Sequence, residues 1–154
     1  MSRRPLDIRV SDTADEYDRR ALVDGLIAYN EQRAGLGDSR PLVVLIRDSN
    51  GATVGGLWGR TGYGWLFVEM LFVPERLRGQ GLGTQVMELA ESEALARGCH
   101  GVWLDTFEFQ ARGFYEQLGY RCFGELEDYP AGFSRYFMTK TLDARRDTSE
   151  TPDR

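Results

Sequence analysis

The sequence is poor in the residues that bind metals and form crosslinks. Its 154 residues include two cysteines, Cys99 and Cys122, and a single histidine, His100. The cysteines lack the spacing of a zinc ligand set, and the histidine has no second histidine to pair with. We therefore predict that the protein uses no metal.

Long apolar runs and an excess of positive charge are also missing. No stretch approaches the roughly 18 apolar residues that span a bilayer, and the first residues show no apolar segment of a secretory signal. The chain has 19 basic and 24 acidic residues and a formal net charge of −5, whereas nucleic-acid-binding modules normally show a basic face. We expect a cytoplasmic protein that binds neither nucleic acid nor membrane. The charge mildly favours a cationic substrate such as an amine, although solubility alone would also explain it.

The length suits one domain with a sizeable core. Apolar residues continue as far as Leu142, whereas the residues after it are polar. We predict a single domain over residues 1–142 and a disordered tail over residues 143–154.

Apolar periodicity predicts the element order β-α-β-β-β-α-β-α-β-β. Leu6–Val10 alternates like a first strand, and Leu22, Leu26 and Ile27 are spaced to bury one face of a helix that runs roughly from residue 14 to residue 30. Short turns then join three antiparallel strands. The further predicted strands are 41–47, 52–60, 65–72, 102–106, 120–126 and 135–142, and the further helices start near residue 82 and span 110–118.

A glycine-rich turn at residues 73–83 lies between an apolar strand and a helix. Its glycines let the backbone approach a ligand closely, and the first turn of the helix leaves unpaired N–H groups at the positive end of its dipole. This arrangement predicts a phosphate site, with a plain surface turn as the alternative. The spacing is Arg78-x-x-Gly81-x-Gly83, which is neither a Walker loop nor a dinucleotide fingerprint.

A second spaced motif follows downstream, Ala111-x-x-x-Tyr115-x-x-x-Gly119-Tyr120. With the loop, in this order, it resembles the GNAT superfamily of acetyl-CoA-dependent N-acetyltransferases, and the element order extends the resemblance over nearly the whole chain. The resemblance implies an α/β (mixed α+β) fold with a central mixed, mostly antiparallel sheet and helices on both faces. It also implies an acyltransferase with acetyl-CoA as its cosubstrate.

The resemblance further implies which residues bind the cofactor. Backbone amides of the loop and of the helix start should hold the pyrophosphate, and the main chain at the strand end should bond the pantetheine arm like an added strand. These positions are Leu71, Phe72, Val73, Arg78, Gly79, Gln80, Gly81, Leu82, Gly83 and Thr84. Many family members carry an asparagine seven residues before the tyrosine. This chain has Glu108 there, and Gln110 is the predicted substitute.

Three side chains are candidates for the chemistry of acetyl transfer to an amine. Tyr115 matches the family tyrosine that donates a proton to the departing thiolate, and a phenol with a pKa near 10 is protonated at neutral pH. Glu69, the lone carboxylate in an apolar strand, is the preferred base, and Asp105 at the end of the next strand is the second candidate. Glu108 is a third, weaker candidate for the base. Each carboxylate could instead be structural, bonded to main chain or to an arginine.

Three functions remain open from the sequence. The leading one is direct attack of a small-molecule primary amine on acetyl-CoA, and the second is acetylation of a peptide or protein. The third, a non-catalytic acyl-CoA-binding sensor, would not require both Tyr115 and a strand carboxylate. The acceptor, the physiological role and the formation of a homodimer are left open.

Overall fold

The structure is a computed structural model that describes residues 6–143. Two compact units are distinguished, the first ending at Gly37 and the second beginning at Asp38. The predicted disordered tail lies outside the described residues, apart from Asp143. The prediction of one domain over residues 1–142 stays a prediction.

The first unit contains one helix, α1 (Glu16–Ala34). Asp15 begins it with a capping box, in which its side chain accepts a hydrogen bond from the Asp18 N–H and the Asp18 side chain accepts one from the Asp15 N–H. No residue of α1 is buried, so the predicted burial of Leu22, Leu26 and Ile27 is wrong. Residues 6–37 contain no other helix or strand against which that apolar face could pack.

The predicted first strand at Leu6–Val10 is not formed. These residues have no regular structure, and their apolar side chains are exposed. Alternation indicates which side chains would share a face, but a strand also needs hydrogen bonds to a neighbouring strand. The observed order therefore begins with α1.

The second unit is built on one six-stranded sheet with the strand order β1-β2-β3-β4-β6-β5. Neighbouring strands are antiparallel, except that β3 and β4 are parallel. This confirms the predicted mixed, mostly antiparallel sheet. The strands are β1 (Arg40–Arg47), β2 (Thr53–Gly62), β3 (Trp65–Phe72), β4 (Gly101–Phe107), β5 (Arg121–Leu126) and β6 (Arg135–Thr141).

Two α-helices of this unit, α2 (Leu82–Ala96) and α3 (Arg112–Gln117), follow β3 and β4. Helix α2 packs across β1, β2 and β3. Its buried residues recur at the spacing of one helical face and join the core side chains of the sheet; they are Val86, Met87, Ala90 and Ala94. Tyr115 of α3 belongs to the same core.

Strands β3 and β4 pair along their first halves and then part. Their register runs from Trp65 opposite Gly101 to Val68 opposite Leu104 and stops there. Immediately beyond, a bulge in the pairing with β2 leaves Glu69 as the extra residue of β3. Bulges re-aim side chains and are frequent beside active sites. The predicted catalytic carboxylates therefore lie where the sheet opens.

Candidate active site

A cavity of about 860 Å³ lies at the gap between β3 and β4, within the usual size range of ligand sites. Its wall combines the glycine loop, the ends of both strands and the start of α3. The predicted site residues that line it are Glu69, Leu71, Phe72, Val73, Arg78, Gly79, Gly81, Leu82, Gly83, Thr84, Asp105, Gln110 and Tyr115. Gln80 is predicted but does not line the wall.

The three glycines of the loop are needed for two different reasons. Gly79 and Gly81 have φ angles of 75° and 76°, the left-handed conformation in which an L side chain costs roughly 1–2 kcal/mol. Nothing lies within 4 Å of a Cβ added to either one, so conformation is the constraint. At Gly83 an added Cβ would lie 3.1 Å from the Phe114 ring. This third glycine therefore lets α2 start close to α3.

The start of α2 is not capped by a side chain. Gly81 occupies the N-cap position, and the first bond inside the helix runs from the Gln85 N–H to the Gly81 carbonyl at 3.0 Å. The N–H groups of Leu82, Gly83 and Thr84 precede that bond and have no acceptor within the helix. Together with the helix dipole, they form a site suited to an anion.

Arg78 ties the loop to the end of β3. Its Nε donates a hydrogen bond of 3.0 Å to the carbonyl oxygen of Val73. This bond uses one of the two lone pairs of a carbonyl predicted to contact the cofactor. Arg78 therefore supports the loop in addition to carrying positive charge at its edge.

Tyr115 is 6% exposed and lies in a cluster of aromatic rings. The ring centroids of Phe114 and Tyr120 lie 5.2 and 5.8 Å from its own. Burial first, and the negative charge of Asp105 second, raise the pKa of Tyr115 to about 12. The phenol is thus protonated throughout the physiological range, as a proton donor must be.

A second tyrosine fixes the segment that carries Tyr115. The Tyr120 hydroxyl donates to Glu91 Oε1 at 2.8 Å, and Lys140 Nζ donates to Glu91 Oε2 at 2.8 Å. Burial, with the neighbouring Glu91 carboxylate, raises the pKa of Tyr120, so this hydroxyl stays a donor. The Tyr120 N–H also donates to the Tyr115 carbonyl at 3.0 Å. This network links α2, α3 and β6.

The two leading candidate bases each have an arginine partner. Glu69 forms an ion pair with Arg60, and Asp105 accepts hydrogen bonds from Nε (2.7 Å) and Nη2 of Arg135. The side chain of Glu69 is 28% exposed and that of Asp105 is 19% exposed. Both carboxylates therefore have the contact that a structural role would require, and Glu69 is the more accessible of the two.

Gln110 and Glu108 shape the turn between β4 and α3. The side-chain oxygen of Gln110 accepts a bond of 2.9 Å from the Phe107 N–H, whereas its two amide N–H donors are separate from this contact. Glu108 Oε2 accepts a bond of 2.8 Å from the Ser134 N–H, and Glu108 does not line the cavity. The geometry favours Gln110 over Glu108 as a residue that faces a ligand.

Within residues 6–143, no group of histidine, cysteine, aspartate and glutamate side chains is arranged to bind a metal. Among the described helices, none is both long enough and apolar enough to pass through a membrane.

Comparison with known proteins identifies the family. The family model described as "Acetyltransferase (GNAT) family" matches residues 7–120, well over half of the chain. The chain belongs to this GNAT family. The resemblance of the two motifs is thereby confirmed, and the protein is an acetyl-transferring enzyme.

Individual relatives agree with this assignment. The GNAT chain is 41% identical over 131 residues to an acetyltransferase of Agrobacterium fabrum, covering 85% of this chain and 96% of the relative. It is 36% identical over 115 residues to a blasticidin-S acetyltransferase of Streptomyces morookaense, covering 72% of this chain and 85% of the relative. A crystal structure of an acetyltransferase from Agrobacterium tumefaciens superposes with a TM-score of 0.84 at 40% identity, covering 88% of this chain and 99% of that one.

Several residues of the GNAT site were missed by sequence reasoning. Arg60 lies nine residues before Glu69 across a tight hairpin, so its contact could have been found from the hairpin register. Arg135 lies 30 residues from Asp105 and meets it through the pairing of β4 with β6. Local periodicity contains no signal for that pairing. The aromatic side chains of Phe107 and Phe109 in the cavity wall were missed for a similar reason.

Proposed function

We propose that the protein is an N-acetyltransferase that transfers the acetyl group of acetyl-CoA to the primary amine of a small molecule by direct attack, without a metal. One observation supports this most directly: a single cavity joins an uncapped helix start to two carboxylates and a buried tyrosine. A cytoplasmic location stays a prediction from the sequence.

The cofactor would bind mainly through main-chain groups. The loop and the N–H groups at the start of α2 would hold the pyrophosphate, with Arg78, or Arg76 two residues before it, adding positive charge. The end of β3 has no pairing with β4 beyond Val68, so Leu71, Phe72 and Val73 offer main-chain groups to the pantetheine arm. The amide of Gln110 would donate to the same arm from the other side of the gap.

The chemistry needs protons to leave the amine nitrogen and one proton to reach the departing thiolate. An alkylammonium has a pKa of about 10, so at neutral pH a base must remove a proton before the nitrogen attacks the thioester. Glu69 is the proposed base, because the bulge exposes it, and Asp105 is the alternative. As the C–N bond forms and the C–S bond breaks, Tyr115 gives its proton to the departing thiolate. The nitrogen releases its second proton to solvent, and Tyr115 regains a proton from solvent. A main-chain N–H at the end of β3 would polarise the thioester carbonyl.

The proposed acceptor is a small amine. The relative named as a blasticidin-S acetyltransferase supports this choice, since its name refers to a small molecule. Acetylation of a peptide or protein is the alternative, and a panel of amines and peptides assayed for thiol release would separate the two.

Thermal melting with acetyl-CoA, CoA and ATP tests the cofactor. A ligand that binds the native state alone should add about 2.7 kcal/mol of stability at a hundredfold excess over its Kd. We expect a shift with both CoA compounds, no shift with ATP, and loss of the shift in Gly81→Glu.

Gly51→Glu is the matched control for this variant. Gly51 has a φ angle of 80°, and, as at Gly81, nothing lies within 4 Å of an added Cβ, but Gly51 lies in the β1–β2 turn outside the cavity. Gly51→Glu should lose about as much stability from the left-handed conformation as Gly81→Glu, but its melting temperature should still rise with the CoA compounds. Absence of a shift with either CoA compound in the unaltered protein would contradict the proposed function.

A further inference from the structure

We propose that the acceptor is a cationic amine that carries a flat aromatic ring, and that Phe109 and Phe133 bind this ring. The proposal rests on the proposed function and specifies the substrate class of the same site.

Four aromatic rings form a continuous surface at the end of β4 and in the connection between β5 and β6. Phe107 and Phe109 stack with centroids 5.2 Å apart, Tyr129 meets the first edge-on at 5.6 Å, and Phe133 meets the second edge-on at 5.2 Å. We call these four residues the aromatic wall. Phe107 and Phe109 line the cavity, whereas Tyr129 and Phe133 are outside its lining and contact these two rings.

The outer half of the aromatic wall is accessible to a ligand. Phe109 is 55% exposed and Phe133 is 44% exposed, and neither belongs to the core or to the side chains packed against it. Contiguous exposed apolar surface beside a cavity commonly marks a binding site. These two rings are therefore available for a stacking partner.

The inner half of the aromatic wall already binds a cation. The guanidinium carbon of Arg135 lies 4.9 Å from the centroid of Phe107 and 4.8 Å from that of Tyr129, while Asp105 accepts its hydrogen bonds. These contacts occupy Phe107 and Tyr129 within the chain itself. The rings that can still bind a ligand ring are therefore Phe109 and Phe133. The carboxylates of the cavity suit the ammonium group of the same ligand.

The charge near the aromatic wall complements a cationic ligand. Between residues 125 and 134 the chain has three acidic side chains, Glu125, Glu127 and Asp128, and no basic one. Arg135 follows directly and lines the cavity, but its charge is balanced by its ion pair with Asp105. Clustered charge of one sign at the mouth of a cleft attracts ligands of the opposite sign. A neutral or anionic aromatic molecule would lack this attraction.

The two exposed rings are held in place before a ligand arrives. The Glu108 N–H donates to the Ser134 carbonyl at 2.8 Å, and the Ser134 N–H donates to Glu108 Oε2 at 2.8 Å. These bonds join the residues adjacent to Phe109 and Phe133. The Tyr129 N–H also donates to the Phe133 carbonyl at 2.9 Å, which closes the connecting loop. Such preorganisation lowers the entropy cost of binding.

The position of the aromatic wall directs the amine to the proposed bases. Phe107 follows Asp105 by two residues on β4, and Glu69 lies across the gap on β3. The glycine loop forms another part of the cavity wall. An amine bound through its ring would thus approach the thioester from the carboxylate side.

Thiol release from acetyl-CoA with paired amines tests the proposal. The aromatic probes are 2-phenylethylamine and tryptamine, and 2-cyclohexylethylamine is the saturated match of the first. Since aromatic pairs add about 0.5–1.5 kcal/mol beyond area burial, we expect a preference in kcat/KM of roughly two- to thirteenfold for the aromatic probes. Phe109→Leu and Phe133→Leu should each remove most of this preference by raising the KM for the aromatic amines. The KM for acetyl-CoA should stay unchanged.

Phe123→Leu is the matched control. Phe123 is 53% exposed on β5, does not line the cavity, and contacts the ring of Phe137 rather than a ring of the aromatic wall, so the preference should survive this change. Equal kcat/KM for saturated and aromatic amines, or equal losses for both in Phe109→Leu and Phe133→Leu, would overturn the proposal and leave the proposed function standing. No thiol release with any amine, together with no melting shift with CoA, would overturn both.

Discussion

The two ends of the cavity are built from different kinds of atoms. The glycine-loop end presents main-chain N–H groups, with Gly79 and Gly81 held in a left-handed conformation and no side-chain cap on α2. The carboxylate end presents side chains, with Glu69 and Asp105 each paired with an arginine and the aromatic wall beyond them. Main-chain recognition is insensitive to most substitutions, whereas a binding surface made of side chains changes with each one. This division suits an enzyme whose cofactor is shared with its relatives and whose acceptor differs from theirs.

Tyr115→Phe should give the largest effect, because it removes the proposed proton donor and leaves both ends of the cavity in place. We expect kcat to fall by roughly 10²–10⁴-fold, with the melting shift by CoA unchanged. Steady-state kinetics and thermal melting measure the two separately. A kcat within about threefold of the unaltered enzyme would assign Tyr115 a structural role, since general-acid catalysis is worth far more than that.

Glu69→Gln and Asp105→Asn test which of the two carboxylates in the cavity acts as the base. With Glu69 as the base, the first variant should lower kcat/KM for the amine roughly 100-fold near pH 7, and the second about tenfold. The Glu69→Gln deficit should shrink as the pH approaches the pKa of the amine, about 10, where the neutral amine needs no base. A larger, pH-dependent loss in Asp105→Asn would reverse the assignment.

Tyr120→Phe tests the support behind Tyr115 and should act mainly on stability. The change leaves Glu91 Oε1 without the 2.8 Å bond in a partly buried site, which should cost about 1–3 kcal/mol. Urea denaturation at constant m-value measures the loss. Tyr17→Phe, at an exposed tyrosine of α1, is the control and should stay within about 0.5 kcal/mol. Equal stability of the two variants would show that the Glu91 contact contributes little.

The pH dependence of unfolding should show an effect only at alkaline pH. The pKa of Tyr115 is raised to about 12 in the folded protein, against about 10 in the unfolded chain. The neutral phenol therefore contributes stability that is fully present below about pH 10 and is lost as the pH rises towards 12. The free energy of unfolding should fall more steeply above pH 10 in the unaltered protein than in Tyr115→Phe. If the free energies of unfolding of the two proteins fall in parallel above pH 10, the raised pKa of Tyr115 would be contradicted.

Local sequence signals were sufficient for much of the fold and for the glycine-loop end. All six observed strands begin and end within two residues of the predicted positions, because strand period and turn residues are encoded locally. The loop was predictable for the same reason, since its glycines and the helix they precede are adjacent in sequence.

The errors and omissions involve contacts between distant segments. Leu6–Val10 alternates correctly but pairs with no strand, and the apolar positions of α1 are exposed. The Asp105–Arg135 pair and the contact between Phe109 and Phe133 depend on which strands are neighbours. No local pattern in a single sequence indicates which distant strands become neighbours.

The continuity of the cavity has a consequence for inhibitor design. One space runs from the glycine loop through the gap between β3 and β4 to Phe107 and Phe109. A molecule that links CoA to an arylalkylamine could therefore occupy both ends at once. Once its CoA half is bound, its amine half would face the aromatic wall at an effective concentration in the millimolar range, as expected for a short linker. Such a conjugate should exceed the affinity of either half without any contact that the separate ligands do not make.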